Sequence, residues 1–515
     1  MKNKLLIILI IGIGLSSCSK DFLNLVPKTS LSSASFFENQ LEFQQALNAA
    51  YLPLRQIARI GIYQDEMRSD NTFFTIYFAN RGLTTPEGWS EFLTKSTSDA
   101  EPNTPGSRWG NNFSGISMVN TILGRIDAMV NISQGAKDSI TGEALFLRAF
   151  YYYDLVQHYG GVPLQLTEIK AVADAFQPRN TVNEVYTQVI TDLTAALPLL
   201  PVASTFPQSG KVTKGAVKML LAYAYMSKPT KEYAKAEAEL LDIVKMNYSL
   251  LPNYADVFDP NNRNNRESIL EVQYKSDLTS GQQSDFAWIM IPKTTNSELL
   301  TGYHDGAMNI FSGWNVPTQE MVDSYEPGDK RLPASVTVVE GHISGVEDFT
   351  ATGMKSAVNY TPTPGLTYFY MVKKYFHPPY SISWNTPDNW PIFRYSDALL
   401  LLAECLVDEN KNGEALLYLN QVRRRAGLPD LTQATSDNVA NERRHELAFE
   451  NHRWTDLVRT GKAIEKCTAK GERLKVIYGW ILPTMFIVTP EKLIFPVPYR
   501  EMQINNKLVQ NPGYE

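Results

Sequence analysis

Apolar residues recur at i, i+3, i+4 spacing over much of the chain and lose that period in two long stretches. The period predicts a helix capped by Ser35 that runs through Leu41, Phe43, Ala46, Leu47, Ala50 and Leu54. It returns over 113–130 and again over 139–159. There Ile140, Ala144, Leu147, Phe150, Tyr151 and Leu155 leave little polar face, which predicts a buried helix stopped by Gly160, Gly161 and Pro163. Further helices are predicted over 182–199 and, rich in charge, over 437–460. The period is absent over 70–109 and 252–393, where Asn, Thr, Ser, Gly, Pro and aromatic residues take over. Within the second stretch 268–274 alternates like a strand.

Two segments repeat each other. Ala224 and Ala236 are followed by Leu240 at the same spacing as Ala403, Ala415 and Leu419. Small residues at those positions let antiparallel helices approach closely, as in the roughly 34-residue tetratricopeptide helix pair. The helices before residue 200 are candidates for further pairs; a plain helical hairpin is the alternative.

The first residues change where this body must sit. Lys2 and Lys4 precede an apolar run, 5–15, that closes on Ser16, Ser17 and Cys18. This is a secretory signal peptide, too short to span a bilayer comfortably, with a lipobox-like end. Cys18 is the expected lipidation site and mature N-terminus, and acyl chains there hold the protein to a membrane. Composition is ordinary for a globular body, with 43% hydrophobic and 20% charged residues. A formal charge of −6 makes nucleic acid a poor partner. Cys405, in a leucine-rich run, reads as a buried hydrophobe, and no disulfide to Cys467 is expected. Six scattered histidines give no metal-site spacing, so no metal and no cofactor are expected.

Several segments together resemble one family: Cys18-Ser19-Lys20-Asp21-Phe22-Leu23, Glu143-Ala144-Leu145-Phe146-Leu147-Arg148-Ala149-Phe150-Tyr151-Tyr152 and Tyr159-Gly160-Gly161-Val162-Pro163-Leu164. Others are Gly313-Trp314, Asp329-Lys330-Arg331, Phe393-Arg394-Tyr395-Ser396-Asp397-Ala398, Asn420-Gln421-Val422-Arg423-Arg424-Arg425-Ala426-Gly427, Glu442-Arg443-Arg444-His445-Glu446 and Gln510-Asn511-Pro512-Gly513-Tyr514. The mature chain resembles the SusD/RagB family of nutrient-binding outer-membrane lipoproteins from end to end. The resemblance implies a mainly α, SusD-like fold: four tetratricopeptide-like helix pairs packed against a loop-rich, mostly irregular lobe with minor β. On the present numbering the signal peptide is 1–17 and a single body follows. Its scaffold occupies about 30–70, 110–250 and 394–460, its ligand lobe about 70–110 and 252–393, and an extended tail 461–515. The resemblance further implies a lipid-anchored, surface-exposed place on the outer membrane. It implies a SusC-like TonB-dependent outer-membrane transporter as partner, and an oligosaccharide as ligand, with a RagB-like branch that takes peptides.

A sugar ring offers an apolar C–H face to aromatic side chains and a polar rim to Asn, Asp, Gln and Arg. Asp70, Asn71, Tyr77, Arg81 and Trp89 in the first irregular stretch fit one wall, and Trp288 and Tyr303 in the second fit the opposite one. Trp109, Trp314 and Trp454 fall in scaffold motifs and are expected in the core. Glu446 and Glu450, one helical turn apart, invite a glycoside hydrolase reading. Arg443, Arg444 and Arg453 lie close enough to pair them, so a structural ion network and a non-enzyme are expected.

Overall fold

The computed structural model describes residues 36–74, 85–92, 104–304, 312–344 and 348–514. Its longest helix, Gln134–Tyr159, starts earlier than the periodicity predicts because Ser133 accepts from the Ala136 N–H and caps it there. It ends at Gly160, which has φ +72°. The neighbouring Gly161 is required by space: a Cβ there would stand 2.1 Å from the Asn180 carbonyl oxygen. This helix packs between Pro105–Ile126 and Val182–Ala196. The two repeated segments form the hairpins Lys214–Ser227/Tyr233–Val244 and Tyr395–Asp408/Asn412–Ala426. Tyr233–Val244 also packs on Tyr395–Asp408, so the hairpins join across the chain. Ala224, Ala236, Leu240, Ala403, Ala415 and Leu419 are all fully buried, as close helix approach requires.

Several elements differ from expectation. The first helix is capped by Asn39, not Ser35, and Pro53 opens a second one, so Gln40–Ala50 and Pro53–Gly61 replace one long helix. The helix expected at 113 begins at Pro105, with Thr104 as its cap, and takes in Trp109. The charged helix is two, Ser436–Glu446 and Arg453–Arg459. Between them Phe449 and Asn451 have positive φ, and their N–H groups donate to the two oxygens of the Glu66 carboxylate. A remote carboxylate therefore holds a turn that local periodicity cannot reveal. The tail is not wholly extended, since it contains the helix Ala463–Ile477.

Strand Ser268–Val272 pairs antiparallel with Trp390–Arg394 and is buried on both faces. A three-stranded antiparallel sheet places Val336–Ser344 between Asp348–Ser356 and Thr367–Val372. The main core runs from Phe43 to Tyr514 and draws on both the scaffold and the lobe ranges. A satellite core of Trp288, Ile291, Leu300, Val339, Phe349, Met371 and neighbours lies against this sheet. Cys405 Sγ lies 3.6 Å from Met226 Sδ and Cys467 Sγ 3.6 Å from the Arg68 carbonyl, each in its own buried surroundings. Among the described residues no helix is long and apolar enough to cross a membrane.

Candidate ligand-binding face

The charged residues that close the fold are almost all internal. Arg394 Nε donates to Glu450 Oε2 at 2.7 Å, and its NH1 to Glu267 Oε1 at 2.7 Å and Glu446 Oε1 at 2.9 Å. Lys374 Nζ reaches Glu450 Oε1 at 2.7 Å, and Arg331 binds Glu442 Oε1 at 2.6 Å. Burial raises the Glu446 and Glu450 carboxyl pKa values, but the surrounding cations outweigh it and hold both below the usual carboxylate range. Fully buried and ionised, these two are unavailable as a general-acid and nucleophile pair.

The same network takes in residues that the sequence places in a binding loop. Asp70 is 2% exposed. Its two oxygens accept from Arg453 Nε and NH2 at 2.7 and 2.8 Å, and its pKa is held down by Arg453 and Arg444 against the effect of burial. Asn71, with no exposed surface, donates to Glu66 Oε1 at 2.8 Å and accepts from Arg444 Nε at 2.8 Å. Trp89 is buried edge-on against Phe495. Trp288 is buried in the satellite core, stacked on Trp384 at 5.8 Å and meeting the half-buried Tyr303 edge-on at 6.4 Å. In this structure, then, Asp70, Asn71, Trp89 and Trp288 are packed inside and cannot touch a surface ligand, a correction to their expected contact role. Their irregular polar context is that of a loop, but the residues covering them are distant in sequence. Tyr77, Arg81 and Cys18 lie outside the described residues.

The two expected walls do meet. Strand Thr72–Phe73 pairs with Val316–Pro317, and the Thr318 N–H donates to the Asn71 carbonyl at 2.9 Å. On the other side the N–H groups of Gly313 and Trp314 donate to the carbonyls of Ile291 and Ile289 at 2.7 and 3.1 Å. Residues 312–318 thus bridge the Asp70 and Trp288 stretches, and they bring up Trp314, which is half-buried rather than core. Trp109 and Trp454 are buried as expected.

Around Trp314 the rings form a continuous face. Phe74 lies 6.2 Å from Trp314 and 5.9 Å from Trp480; Phe73 lies parallel to Trp480 at 6.0 Å and to Tyr478 at 5.8 Å. Phe73 and Phe74 are the buried base, while Trp314, Tyr478 and Trp480 are half-buried and present ring surface. Burial, and then the nearby Tyr368, raises the Tyr478 phenol. Tyr368 continues the face toward Tyr370 and Tyr360, at 5.7 and 5.1 Å, and the Tyr368 and Tyr370 hydroxyls both donate to Gln319 Oε1. Gln319, Glu320 and Arg473 supply a polar rim, with Arg473 NH2 3.5 Å from Glu320 Oε2. Beneath Phe73, the buried Lys470 donates to the Met67 and Ser69 carbonyls at 2.8 and 2.7 Å, and burial pushes its pKa down to about 8. An aromatic plane with adjoining amide, carboxylate and guanidinium groups can stack an apolar ring face and hydrogen-bond its hydroxyl rim. Tyr478-Gly479-Trp480, two aromatics around a glycine, is the sequence signal that marks this face. Among the described residues no group of three or more His, Cys, Asp or Glu side chains is disposed to hold a metal ion.

Glu66, which anchors Asn71 and the 449–451 turn, makes the support of this face pH-dependent. Burial raises its pKa to about 7 against hydrogen bonds that lower it. A carboxyl raised above its unfolded value contributes stability that is full below about pH 4.5 and is lost as pH rises through about 7. The ionised acids of the network act oppositely and lose stability only as pH falls through their depressed values. Between pH 5 and 8 the native chain should therefore lose roughly 2.5 kcal/mol that Glu66→Gln does not, measured from urea midpoints of both proteins across that range.

Comparison with known proteins accounts for most of the chain. A model described as the SusD family matches residues 266–514, and one described as starch-binding, associating with the outer membrane, matches residues 21–228. A SusD-like protein of Formosa agariphila is 26% identical over 534 residues, 98% of each chain. One from Bacteroides ovatus is 24% identical over 493 residues, 89% of this chain and 82% of its own. A solved laminarin binding SusD-like protein superposes with a TM-score of 0.74 at 26% identity, covering 93% of this chain and all of that one. A surface glycan-binding protein A from Bacteroides thetaiotaomicron has the same fold at TM-score 0.74 and 23% identity, over 93% and 100%.

Proposed function

The chain belongs to the SusD family, and from that membership we propose that it is a cell-surface, non-catalytic lipoprotein that binds an oligosaccharide and delivers it to a SusC-like TonB-dependent transporter. The observation that carries the ligand class is the aromatic face of Trp314, Tyr478 and Trp480 with its polar rim. Flat apolar surface beside directional hydrogen-bonding groups matches a sugar ring better than it matches an ion or an extended peptide backbone. The likeness to a laminarin binding protein makes laminarin-derived oligosaccharides the first ligands to test. Tyr303, half-buried beside Trp288, remains a proposed contact from the second wall. Tyr77 and Arg81 remain proposed contacts from the first wall.

Calorimetry of the purified body against laminari-, malto- and xylo-oligosaccharides tests the ligand class. Saturable binding of one series without release of reducing ends supports the proposal. Competition by a peptide library with no oligosaccharide bound, or hydrolysis of the bound glycan, would overturn it. The anchor is tested separately. Cys18→Ala should give a folded, ligand-competent protein that fractionates away from the outer membrane. Unchanged membrane fractionation would sink the lipid anchor while leaving the ligand question untouched.

A further inference from the structure

The three-stranded sheet divides its side chains between two faces. Val339, Phe369 and Met371 belong to the satellite core. Glu340 and Tyr368 are cross-strand partners, as are Val338 and Tyr370, and strand alternation puts these four on the opposite face. Val338 and Tyr370 are buried there, whereas Tyr368 keeps part of its ring in water. The half-buried Tyr360 packs on both tyrosines, 5.1 Å from Tyr368 and 6.5 Å from Tyr370.

One acid holds this cluster from the sheet side. Glu340, only 3% exposed, accepts from the Tyr360 hydroxyl at 2.7 Å, from the Thr363 N–H and hydroxyl at 2.9 Å each, and from Lys355 Nζ at 2.9 Å. From the other side the Tyr368 and Tyr370 hydroxyls share Gln319 Oε1, each at 3.2 Å. Rings fixed before a ligand arrives lose little freedom when it binds. Tyr360 and Tyr370 meet Tyr368 at 64° and 76°, so the cluster presents ring edges and hydroxyls instead of one plane. Each phenol oxygen has donated its own proton and can still accept one from a ligand hydroxyl.

The cluster adjoins the tryptophan plane. Strand Thr72–Phe73 pairs with Val316–Pro317, which packs in turn against Thr367–Val372. Val316 partners Phe73, so its half-buried side chain stands on the same face as the base of that plane. Tyr478 lies 6.0 Å from Trp480 on one side, and on the other it is near enough to Tyr368 for that residue to add to the burial that raises its phenol.

We propose that Tyr360 and Tyr368 form an added subsite, which takes the units of a linear oligosaccharide that extend beyond the tryptophan plane. This subsite rests on the oligosaccharide reading of that plane and narrows the ligand: a run of several linked sugar units, stacked at Trp480 and met at the sheet by phenol hydroxyls and ring edges. A chain long enough to reach both places gains the second contact without a second cost of association, so affinity rises with chain length.

The test is calorimetry of the full mature chain with laminari-, malto- and xylo-oligosaccharides from trimer to hexamer. In the series that binds, the native protein should hold the hexamer at least about tenfold more tightly than the trimer. Tyr368→Ala should cut that gain to within about twofold, and Tyr368→Phe, which keeps the ring and the packing, should fall between. Trp480→Ala should weaken trimer and hexamer alike and keep the gain. Urea midpoints of each variant confirm that folded protein is compared. A native gain below about twofold, or a native-sized gain in both Tyr368→Ala and Tyr360→Ala, would overturn the subsite and leave the oligosaccharide reading standing. Equal weakening of trimer and hexamer in the tyrosine variants would overturn it in favour of a purely supporting cluster. Failure of the native protein to bind any of the three series would overturn the oligosaccharide reading itself, and the subsite with it.

Discussion

Replacing Arg394 by alanine should leave the protein unable to hold its native state at neutral pH. Its guanidinium donates to Glu267, Glu446 and Glu450, and also to Ser396 Oγ at 2.6 Å and the Glu446 carbonyl at 2.9 Å. All three carboxylates are buried. With Arg394 gone, Arg425 remains for Glu267 and Glu446, Arg331 for Glu446 and Lys374 for Glu450. Four anionic oxygens lose a donor where no water reaches them. Breaking one side of a buried ion pair costs about 3–5 kcal/mol. Domain stabilities run from about 5 to 15 kcal/mol, so one such loss is a large fraction of the whole. Arg394→Lys should fall between, because a single ammonium cannot serve Glu267, Glu446 and Glu450 from their different directions. Urea unfolding of both variants, with soluble yield beside it, measures this. A midpoint for Arg394→Ala within about 0.5 kcal/mol of native would mean that the network is incidental to stability.

That network also explains what could be read in advance. Helices carried by an apolar stripe, such as Gln134–Tyr159 and the hairpin around Ala403 and Ala415, were legible because one face meets one neighbour and the period records it. The reading of Glu446 and Glu450 as ion-paired was legible in kind, since arginines crowd the same stretch. Their geometry was not: the helix expected to carry both stops at Glu446, where Glu66 takes the backbone of Phe449 and Asn451. The binding loop misled for the same reason. Asp70 and Asn71 look like surface groups beside Thr72 and Phe73, and only the fold brings Arg453, Arg444 and Glu66 onto them. Local sequence reports which residues want water or a partner. It does not report which distant side chain meets that need.

The tryptophans turn this difference into the sharpest expected result for the site. Trp480→Ala and Trp314→Ala should each weaken oligosaccharide binding by about 30-fold, the loss of roughly 2 kcal/mol that follows when a central aromatic contact is truncated. Both rings are half-buried and adjoin the same Phe74, so the two losses should not add in the double variant. Their folding cost should be small beside that of Trp89→Ala and Trp288→Ala. Each of these empties a fully packed site and should cost about 3–5 kcal/mol of stability. Among molecules that remain folded, the Trp89 and Trp288 variants should bind within about twofold of native, since neither ring reaches the surface. Calorimetry on folded fractions, with urea midpoints for all four proteins, separates the two effects. Loss of affinity in Trp288→Ala with native affinity in Trp480→Ala would move the ligand to the second irregular stretch and remove the aromatic face from the binding site.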